Sequence, residues 1–216
     1  MAVIMKKMKK QSGFTLLELL MVAAIFSIVA LIAVDLFFTV AKLQKRVTAI
    51  QRVESDARFT LEAMAREARM GMVDYDYYLA NAIDLTTKTD ILATRDQDSN
   101  LTIYKYQKDY QRAENDIILI CAISPTEAQD KCDIAPGQPN NKWEQVTPRD
   151  IRITNLSFYI TPAKDPFVFD DETGAYLSNT QPMVTLVLQS RSTSREQVSV
   201  VYTNFETTVT SRIYKR

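Results

Sequence analysis

The chain up to Met70 shows two apolar patterns, one dense and one periodic. From Phe14 to Ala41 apolar residues predominate, and polar positions are few. These 28 residues would form a helix roughly 42 Å long at about 1.5 Å per residue. That length exceeds the ~30 Å hydrocarbon core of a bilayer. The dense pattern therefore predicts a helix over 14–41 that can span a membrane.

The second pattern is a stripe of apolar residues between Ala41 and Gly71, recurring every three or four positions. Such spacing is typical of one face of an α-helix. Neither Gly nor Pro occurs between Phe14 and Met70, and Gly71 is a natural stop. We therefore expect one helix as far as Met70, with its polar half, 42–70, packed through the stripe against the rest of the protein. The stripe residues are Leu43, Val47, Ile50, Val53, Ala57, Leu61, Met64 and Ala68.

Beyond Gly71 the pattern changes to short segments rich in β-branched and aromatic residues, separated by polar turns. A tyrosine-rich connector precedes them, and a long loop is predicted between Pro162 and Pro182. The fold class predicted is α+β, with the long N-terminal helix packed against an antiparallel β-sheet head formed by 71–216. The predicted strands are Asp90–Arg95, Asn100–Lys108, Asp116–Ile123, Ile151–Thr161, Met183–Gln189, Gln197–Tyr202 and Thr207–Tyr214.

Charge near the N-terminus gives the apolar helix an orientation and a processing site. Four lysines lie between positions 6 and 10, and 1–13 contains no acidic residue. Positive residues beside a span stay cytoplasmic, so the rest of the chain faces outward. An ordinary secretory signal is cut after its apolar stretch, at small residues. Here a Gly13–Phe14 junction precedes the stretch, and cutting there removes the lysines but keeps the apolar helix.

The run Lys10-Gln11-Ser12-Gly13-Phe14-Thr15-Leu16-Leu17-Glu18 resembles the class III signal of type IV pilins and type II secretion pseudopilins. The resemblance implies cleavage after Gly13 by a prepilin peptidase and N-methylation of the new terminal Phe14. It also implies assembly with other pilins or pseudopilins, on an inner-membrane platform, into a filament whose core is the retained helices. The chain then divides into a leader peptide (1–13), a transmembrane and filament-core helix (14–41), an amphipathic helix of the head (42–70) and the β-rich head (71–216). Leaders starting at Met1, Met5 or Met8 all fit.

Glu18 is an acidic residue inside the apolar helix, one turn from Phe14. A charge at bilayer depth costs about 2.5–3.5 kcal/mol or more when unpaired. Once Phe14 carries a free ammonium, a charge pair with Glu18 would neutralise both groups in a filament core. The alternative is an interfacial glutamate that reaches the lipid headgroups. Asp35 is expected at the outer membrane boundary, where a span from Phe14 would end.

Cys121 and Cys132 are the two cysteines of the chain. Outside the cytoplasm such a pair favours a disulfide, which would contribute roughly 2–4 kcal/mol. Metal binding by the pair is not favoured, because histidine and further cysteines are missing.

Composition argues against catalysis and against nucleic-acid binding. The chain has no histidine, the commonest general base, and only four glycines, none in a phosphate-binding loop. Without the four lysines of the leader, the 26 basic residues become 22, against 26 acidic ones. A mildly acidic head does not favour nucleic acid as a partner. We therefore expect a protein that is not an enzyme and has no cofactor.

Calcium is the one ligand for which candidate residues exist. Asp96, Asp98 and Asn100 resemble the start of a calcium loop, but Leu101 occupies the glycine position, which favours a plain polar turn. A second candidate set lies in the long loop, where a solvated surface is the favoured interpretation. Its members are Asp165, Asp170, Asp171 and Glu172.

The function that these observations favour is structural: a minor pilin in a type IV pilus-like filament, larger after cleavage than many major pilins. It would be a single-pass inner-membrane protein before assembly and then part of a filament at the cell surface or in the periplasm. One alternative is a minor pseudopilin of a type II secretion system. Another is a filament-borne adhesin or DNA-binding module. Six of the ten tyrosines, between positions 75 and 110, would give it a surface or else pack in the sheet. The basic residues considered for DNA, with a solvated terminus favoured, are Arg212, Lys215 and Arg216.

Overall fold

The structure is a computed structural model that divides into two units, one ending at Arg46 and the other covering Val47–Arg216. Nearly all of the predicted leader, residues 1–12, lies outside the described residues. The described ranges are 13–107, 116–127, 130–133, 142–147, 151–171, 174–176, 178, 180–192 and 200–212.

A single helix, α1, runs from Leu16 to Met70. It begins two residues after the predicted start and ends at the predicted residue, because no Gly or Pro interrupts it. At its end the Gly71 N–H donates to the Glu67 carbonyl oxygen over 2.8 Å. A side chain at Gly71 would lie 3.1 Å from that same oxygen, so the glycine is needed for the close approach of the backbone there.

Antiparallel strands make up the rest of the described core, which confirms the α+β fold class. The first sheet has five strands among the described residues, in the order β1-β2-β3-β4-β5. They are β1 (Met72–Val73), β2 (Ile91–Arg95), β3 (Leu101–Gln107), β4 (Ile117–Ile123) and β5 (Glu144–Gln145). Two short helices accompany this sheet, α2 (Tyr75–Ala80) and α3 (Asp130–Asp133).

A second sheet has three described strands, with β9 in the middle and β10 and β6 at the edges. Its strands are β6 (Ile151–Thr161), β9 (Met183–Ser192) and β10 (Tyr202–Thr210). A two-stranded ribbon, β7 (Phe169–Asp170) with β8 (Ala175–Tyr176), lies between β6 and β9 in sequence. The sequence therefore predicted one sheet where the structure has two, and a plain loop where it has the ribbon.

The core contains one face of α1 and the inner faces of both sheets. Val53, Ala57, Leu61, Met64 and Ala68 are buried on α1, as the stripe predicted. They belong to the same buried cluster as residues of the two sheets, among them Leu92, Ile103, Phe158 and Leu186. Packing of this kind, rather than helix propensity, supplies most of a helix's stability in a folded protein.

Two members of the predicted stripe, Leu43 and Val47, are exposed, and Ile50 is half-buried. Leu43 is 61% exposed and Val47 is 45% exposed. The prediction that the whole stripe packs on the head is wrong at these positions, and full burial starts at Val53. Periodicity shows that a helix has an apolar face, but it does not show which partner covers it.

The last strand also differs from the prediction. Instead of separate strands at Gln197–Tyr202 and Thr207–Tyr214, a single strand covers Tyr202–Thr210. Residues 193–199 and 213–216 lie outside the described residues. Asn204 and Glu206, which fell between the two predicted strands, are exposed on the outer face of an edge strand, where polar residues are tolerated.

Candidate functional site

The start of α1 is fixed by Thr15. Its side-chain Oγ1 accepts a hydrogen bond from the Glu18 N–H over 3.3 Å. Its carbonyl oxygen accepts from the N–H groups of Glu18 and Leu19 over 3.1 and 3.2 Å. Thr15 therefore caps the helix, and Thr15-x-x-Glu18 has the spacing of a capping box. Sequence reasoning missed this role for Thr15, although the spacing was visible.

The Glu18 carboxylate has no partner among the described residues 13–107 or elsewhere in the described part of the chain. Only its backbone N–H is bonded, and the residue is exposed. In the uncleaved chain the nitrogen of Phe14 belongs to a peptide bond, so it offers no positive charge to this carboxylate. No residue in the described part of the chain supplies a counter-charge to Glu18.

Around Glu18, α1 exposes an almost continuous apolar surface. All of the large apolar side chains from Phe14 to Val40 are exposed. By length and composition α1 is one helix, among the described residues, that could cross a membrane. A surface of this size in a single chain marks a membrane or partner contact.

Two hydroxyl side chains inside the apolar stretch are hydrogen-bonded within the helix. Ser27 Oγ donates to the Ala23 carbonyl oxygen over 2.8 Å. Thr39 Oγ1 does the same to the Asp35 carbonyl oxygen over 2.9 Å. Such bonds to the preceding turn let hydroxyls lie in an apolar environment. Glu18 differs from them, because its carboxylate has no hydrogen-bond donor among the described residues.

The pattern at residues 8–34 matches one known family, the prokaryotic N-terminal methylation motif. This segment contains the predicted cleavage site, Glu18 and the apolar stretch as far as Val34. The chain carries a class III signal. That motif is typical of type IV pilins and pseudopilins, and no curated protein or solved structure gives a significant match to the chain.

The motif and the fold together support a type IV pilin- or pseudopilin-like subunit. The class III signal implies processing by a prepilin peptidase and assembly with other pilins. It indicates a structural subunit rather than an enzyme. With the apolar helix it also fits a precursor anchored in the membrane.

In the β-rich part, Cys121 of β4 and Cys132 of α3 form a disulfide, with their Cα atoms 5.9 Å apart. Both are buried. Trp143 Nε1 donates to the Cys132 carbonyl oxygen over 2.9 Å. Nearby, the Glu127 carboxylate accepts from Lys142 and Lys131. The hydrogen bond from Lys142 is the main reason why the pKa of Glu127 is lowered to about 2.

An ion pair that sequence reasoning missed lies beside the end of α1. Asp74 Oδ2 accepts from Arg95 Nε over 3.0 Å, and its Oδ1 caps α2 by accepting from the Tyr77 N–H over 3.2 Å. The side chain of Asp74 is 5% exposed and that of Arg95 34% exposed. The pair borders a cavity of about 420 Å³, with Tyr75, Asp165 and Ser211 on its wall. Since both charges are already satisfied by each other, the pair reads as structural.

The tyrosines between positions 75 and 110 are mostly interior. Tyr77, Tyr78 and Tyr104 are buried. Tyr78 Oη donates to the Ile91 carbonyl oxygen over 3.2 Å and accepts from the Ala93 N–H over 2.7 Å, so it is bonded into β2. Burial raises the pKa of Tyr104 to about 12. Tyr110 lies outside the described residues. The idea of an adhesive tyrosine face is therefore wrong for these three residues.

In each of the two acidic sets considered for calcium, one carboxylate is hydrogen-bonded within its own turn. The Asn100 N–H and Nδ2 donate to the Asp96 carboxylate over 2.8 and 2.7 Å, which closes the β2–β3 turn and lowers the pKa of Asp96. Asp165 Oδ1 accepts from the Phe167 N–H over 2.9 Å. Glu172 lies outside the described residues, as do Lys215 and Arg216. Within the described residues, no three Cys, Asp or Glu side chains converge as a metal site would need.

Proposed function

We propose that this chain is a minor subunit of a type IV pilus-like filament, made as a membrane precursor and processed at the Gly13–Phe14 bond. The observation that carries the proposal is the Glu18 carboxylate, which has no partner among the described residues, on a segment whose large apolar side chains from Phe14 to Val40 are all exposed. In a monomer in water, the apolar surface would stay exposed to solvent and the Glu18 carboxylate would stay unpaired. A bundle of such helices satisfies both.

The driving force for assembly is the apolar surface of 14–41. In the bilayer, lipid covers these side chains. Once the helix leaves the bilayer, about 25 cal/mol is lost for each Å² of apolar surface exposed to water. Packing against the same helix of neighbouring subunits prevents that exposure. Residues 14–41 then form the filament core, and 42–70 with 71–216 form the head.

Glu18 sets how far one helix is shifted along another. Cleavage after Gly13 creates an ammonium on Phe14, and N-methylation retains that charge. In a core without water, an isolated carboxylate is strongly disfavoured, so Glu18 selects an arrangement that brings it to the terminus of its own or a neighbouring chain. The capped start of α1 at Thr15 holds both groups within one helical turn of each other.

The proposal is tested by isolating sheared filaments and sequencing the mature N-terminus by mass spectrometry. We expect a peptide that begins at methylated Phe14, in amounts well below those of the major subunit. A chain that still begins at Met1, Met5 or Met8 in filaments would contradict the processing. A different result would be that the chain is processed, but its deletion abolishes protein secretion and leaves surface fibres intact. That result would assign the chain to a secretion pseudopilus instead.

A further inference from the structure

The edges of the two described sheets differ in how they are protected. An unpaired sheet edge offers free N–H and C=O groups to any extended chain, and proteins usually shorten, interrupt or cover such edges. In the first sheet both edge strands, β1 and β5, are only two residues long. In the second sheet, Phe158 of β6 exchanges two backbone hydrogen bonds with Thr89, of 2.8 and 2.9 Å. The pairing of β6 with β9 is also interrupted between Ile153 and Asn155.

β10 has none of these protections. It is nine residues long and contains no Pro, Gly or Lys. Its pairing with β9 is continuous from Tyr202 opposite Arg191 to Thr210 opposite Met183. It is therefore the one long, regular and uncovered edge among the described strands.

The direction of the backbone groups of β10 follows from bonds at its two ends. The Val201 carbonyl oxygen accepts from the Ser192 N–H over 3.0 Å, and the Ser211 N–H donates to the Pro182 carbonyl oxygen over 3.2 Å. In an antiparallel ladder, bonded and non-bonded residues alternate. Odd-numbered residues of β10 therefore bond to β9, and even-numbered residues turn their N–H and C=O groups outward. No described residue pairs with these outward groups, which belong to Tyr202, Asn204, Glu206, Thr208 and Thr210.

β10 packs on the core through its inner face, and this packing fixes the position of its outer edge. Val209 is buried, and the Arg58 guanidinium of α1 lies 5.8 Å from the centre of the Phe205 ring. Tyr202, on the opposite face, is 67% exposed. A strand fixed in this way loses little further freedom when another strand pairs with it.

Charge indicates what kind of strand would fit. Glu206 lies opposite Val187 in β9, so its own sheet offers it no cation. The sequence of β10, YTNFETTVT, contains no basic residue. Two copies of β10 paired with each other would place Glu206 against its counterpart or against an uncharged side chain, and like charges opposite each other disfavour pairing. A different strand with Lys or Arg at that position would complement it.

We propose that β10 accepts an extended segment of a different filament subunit, which adds to the second sheet as a fourth strand and places Lys or Arg beside Glu206. This inference rests on the proposed filament role and specifies how the head is joined to a neighbour. Backbone hydrogen bonds would give the affinity, and the side chain beside Glu206 would give the specificity.

The test places a photo-activated cross-linking amino acid at Thr208 of the full-length chain, in cells that assemble the filament. The matched control places it at Tyr159, an exposed residue of the covered edge strand β6. Filaments are sheared, irradiated and analysed by mass spectrometry. We expect cross-links from position 208 to a segment of another subunit that contains Lys or Arg, at least about tenfold more abundant than from position 159.

A proline variant provides a second readout. Both Thr208→Pro and Thr208→Ala remove the 2.8 Å side-chain hydrogen bond to Thr185 of β9. Thr208→Pro also removes the outward N–H, without breaking a backbone bond to β9, whereas Thr208→Ala keeps that N–H and is the matched control. We expect Thr208→Pro to reduce incorporation into filaments by about tenfold and Thr208→Ala to leave it nearly unchanged. Unchanged melting temperatures of both variants in detergent would show that the fold is intact.

The outcomes separate the two proposals. Cross-links from position 208 to a second copy of the chain would overturn the choice of partner, and their absence in filaments that contain the chain would overturn the edge pairing. In both cases the filament role would survive. A chain that never enters filaments, with or without the substitutions, would overturn the proposed function and the pairing with it.

Discussion

Ser211 Oγ donates a 2.6 Å hydrogen bond to the carbonyl oxygen of Gly71, although the two residues are 140 positions apart in the sequence. Beside it, the Arg212 N–H donates to the Arg69 carbonyl oxygen over 2.9 Å. The last carbonyl groups of a helix have no partner within the helix. The chain beyond β10 supplies these partners, so it closes the C-terminal end of α1.

Removing the Ser211 hydroxyl should therefore destabilise the protein. Ser211 is buried, and Ser211→Ala deprives the Gly71 carbonyl oxygen of this donor. We expect the free energy of unfolding to fall by about 1–2 kcal/mol, measured by urea unfolding of the mature chain in detergent. The exposed neighbour Thr210→Ala should change it by less than about 0.5 kcal/mol. Equal effects of the two substitutions would contradict the role of Ser211.

A bulky residue at position 13 should block processing. Among the described residues, nothing lies within 4 Å of where a side chain at Gly13 would begin, so none of them obstructs Gly13→Trp. A peptidase site that requires a small residue before the cut does not. We expect the precursor to accumulate uncut in membranes, as seen by its mass, while Gly13→Ala is still processed. Normal processing of Gly13→Trp would show that the peptidase cuts at a bond other than Gly13–Phe14.

Glu18 should matter for assembly more than for cleavage. Glu18→Gln keeps the shape of the side chain but removes the charge, and Glu18→Ala removes both. If the charge pairs with the terminal ammonium, both variants should be cut normally and enter filaments at least about tenfold less, because a buried unpaired charge remains on Phe14. Wild-type incorporation of Glu18→Gln would show that the charge is not used.

The disulfide should contribute measurably to the stability of the first sheet. Cys121 and Cys132 are 11 positions apart, and closing a loop of that size stabilises by roughly 2–3 kcal/mol in the chain-entropy description. The double substitution Cys121→Ala, Cys132→Ala should lower the urea midpoint accordingly. Adding a reductant should lower the midpoint of the unsubstituted chain and leave that of the double variant unchanged. A reductant effect on the variant would point to a different cause.

Glu127 gives a prediction for pH. Its pKa is lowered to about 2, first by the hydrogen bond from Lys142 and then by the Ser124 N–H. Because the pKa in the folded chain is below its ordinary value of 4.5, the interaction stabilises the fold above that pH and is lost as the pH falls toward 2. Carboxyl NMR should give a midpoint near 2.

Lysine substitutions check the cause of that shift. Lys142→Met should return the pKa of Glu127 toward 4.5 by more than Lys131→Met does, because Lys131 is the lesser contributor. Equal shifts would mean that the two lysines are interchangeable. If Lys142→Met left the pKa of Glu127 unchanged, the hydrogen bond from Lys142 could not be the cause of the lowered pKa.

Much of the fold could be predicted because the ends of many helices and strands depend on residues that are close together in the sequence. The end of α1 at Met70 follows from Gly71, and the bounds of β6 follow from its alternating residues, predicted and observed as Ile151–Thr161. The division into two sheets could not be predicted, because strand pairing depends on contacts between residues far apart in sequence. The same holds for the buried pair of Asp74 and Arg95, whose partners lie on different elements.

The candidate site was predictable to a different degree at each residue. Glu18 stands out because its charge interrupts the apolar pattern, and Gly13 and Phe14 stand out because they join the lysine-rich leader to that pattern; the methylation motif covers all three. Thr15 was missed because a threonine beside an apolar helix attracts no notice until its Oγ1 is seen on the Glu18 N–H. Leu43 and Val47 were assigned to the core because sequence cannot distinguish a face covered by the chain itself from one left open for another molecule.

Gly71 is the only residue between the end of α1 and the start of β1. When a filament is pulled along its length, the force reaches the head of each subunit through α1. A long flexible linker between α1 and β1 would extend before this force reached the sheets. Here a pull on the end of α1 passes directly into the first sheet through β1. Through Ser211 and Arg212 it also passes into the second sheet, so the two sheets share the mechanical strain from the outset.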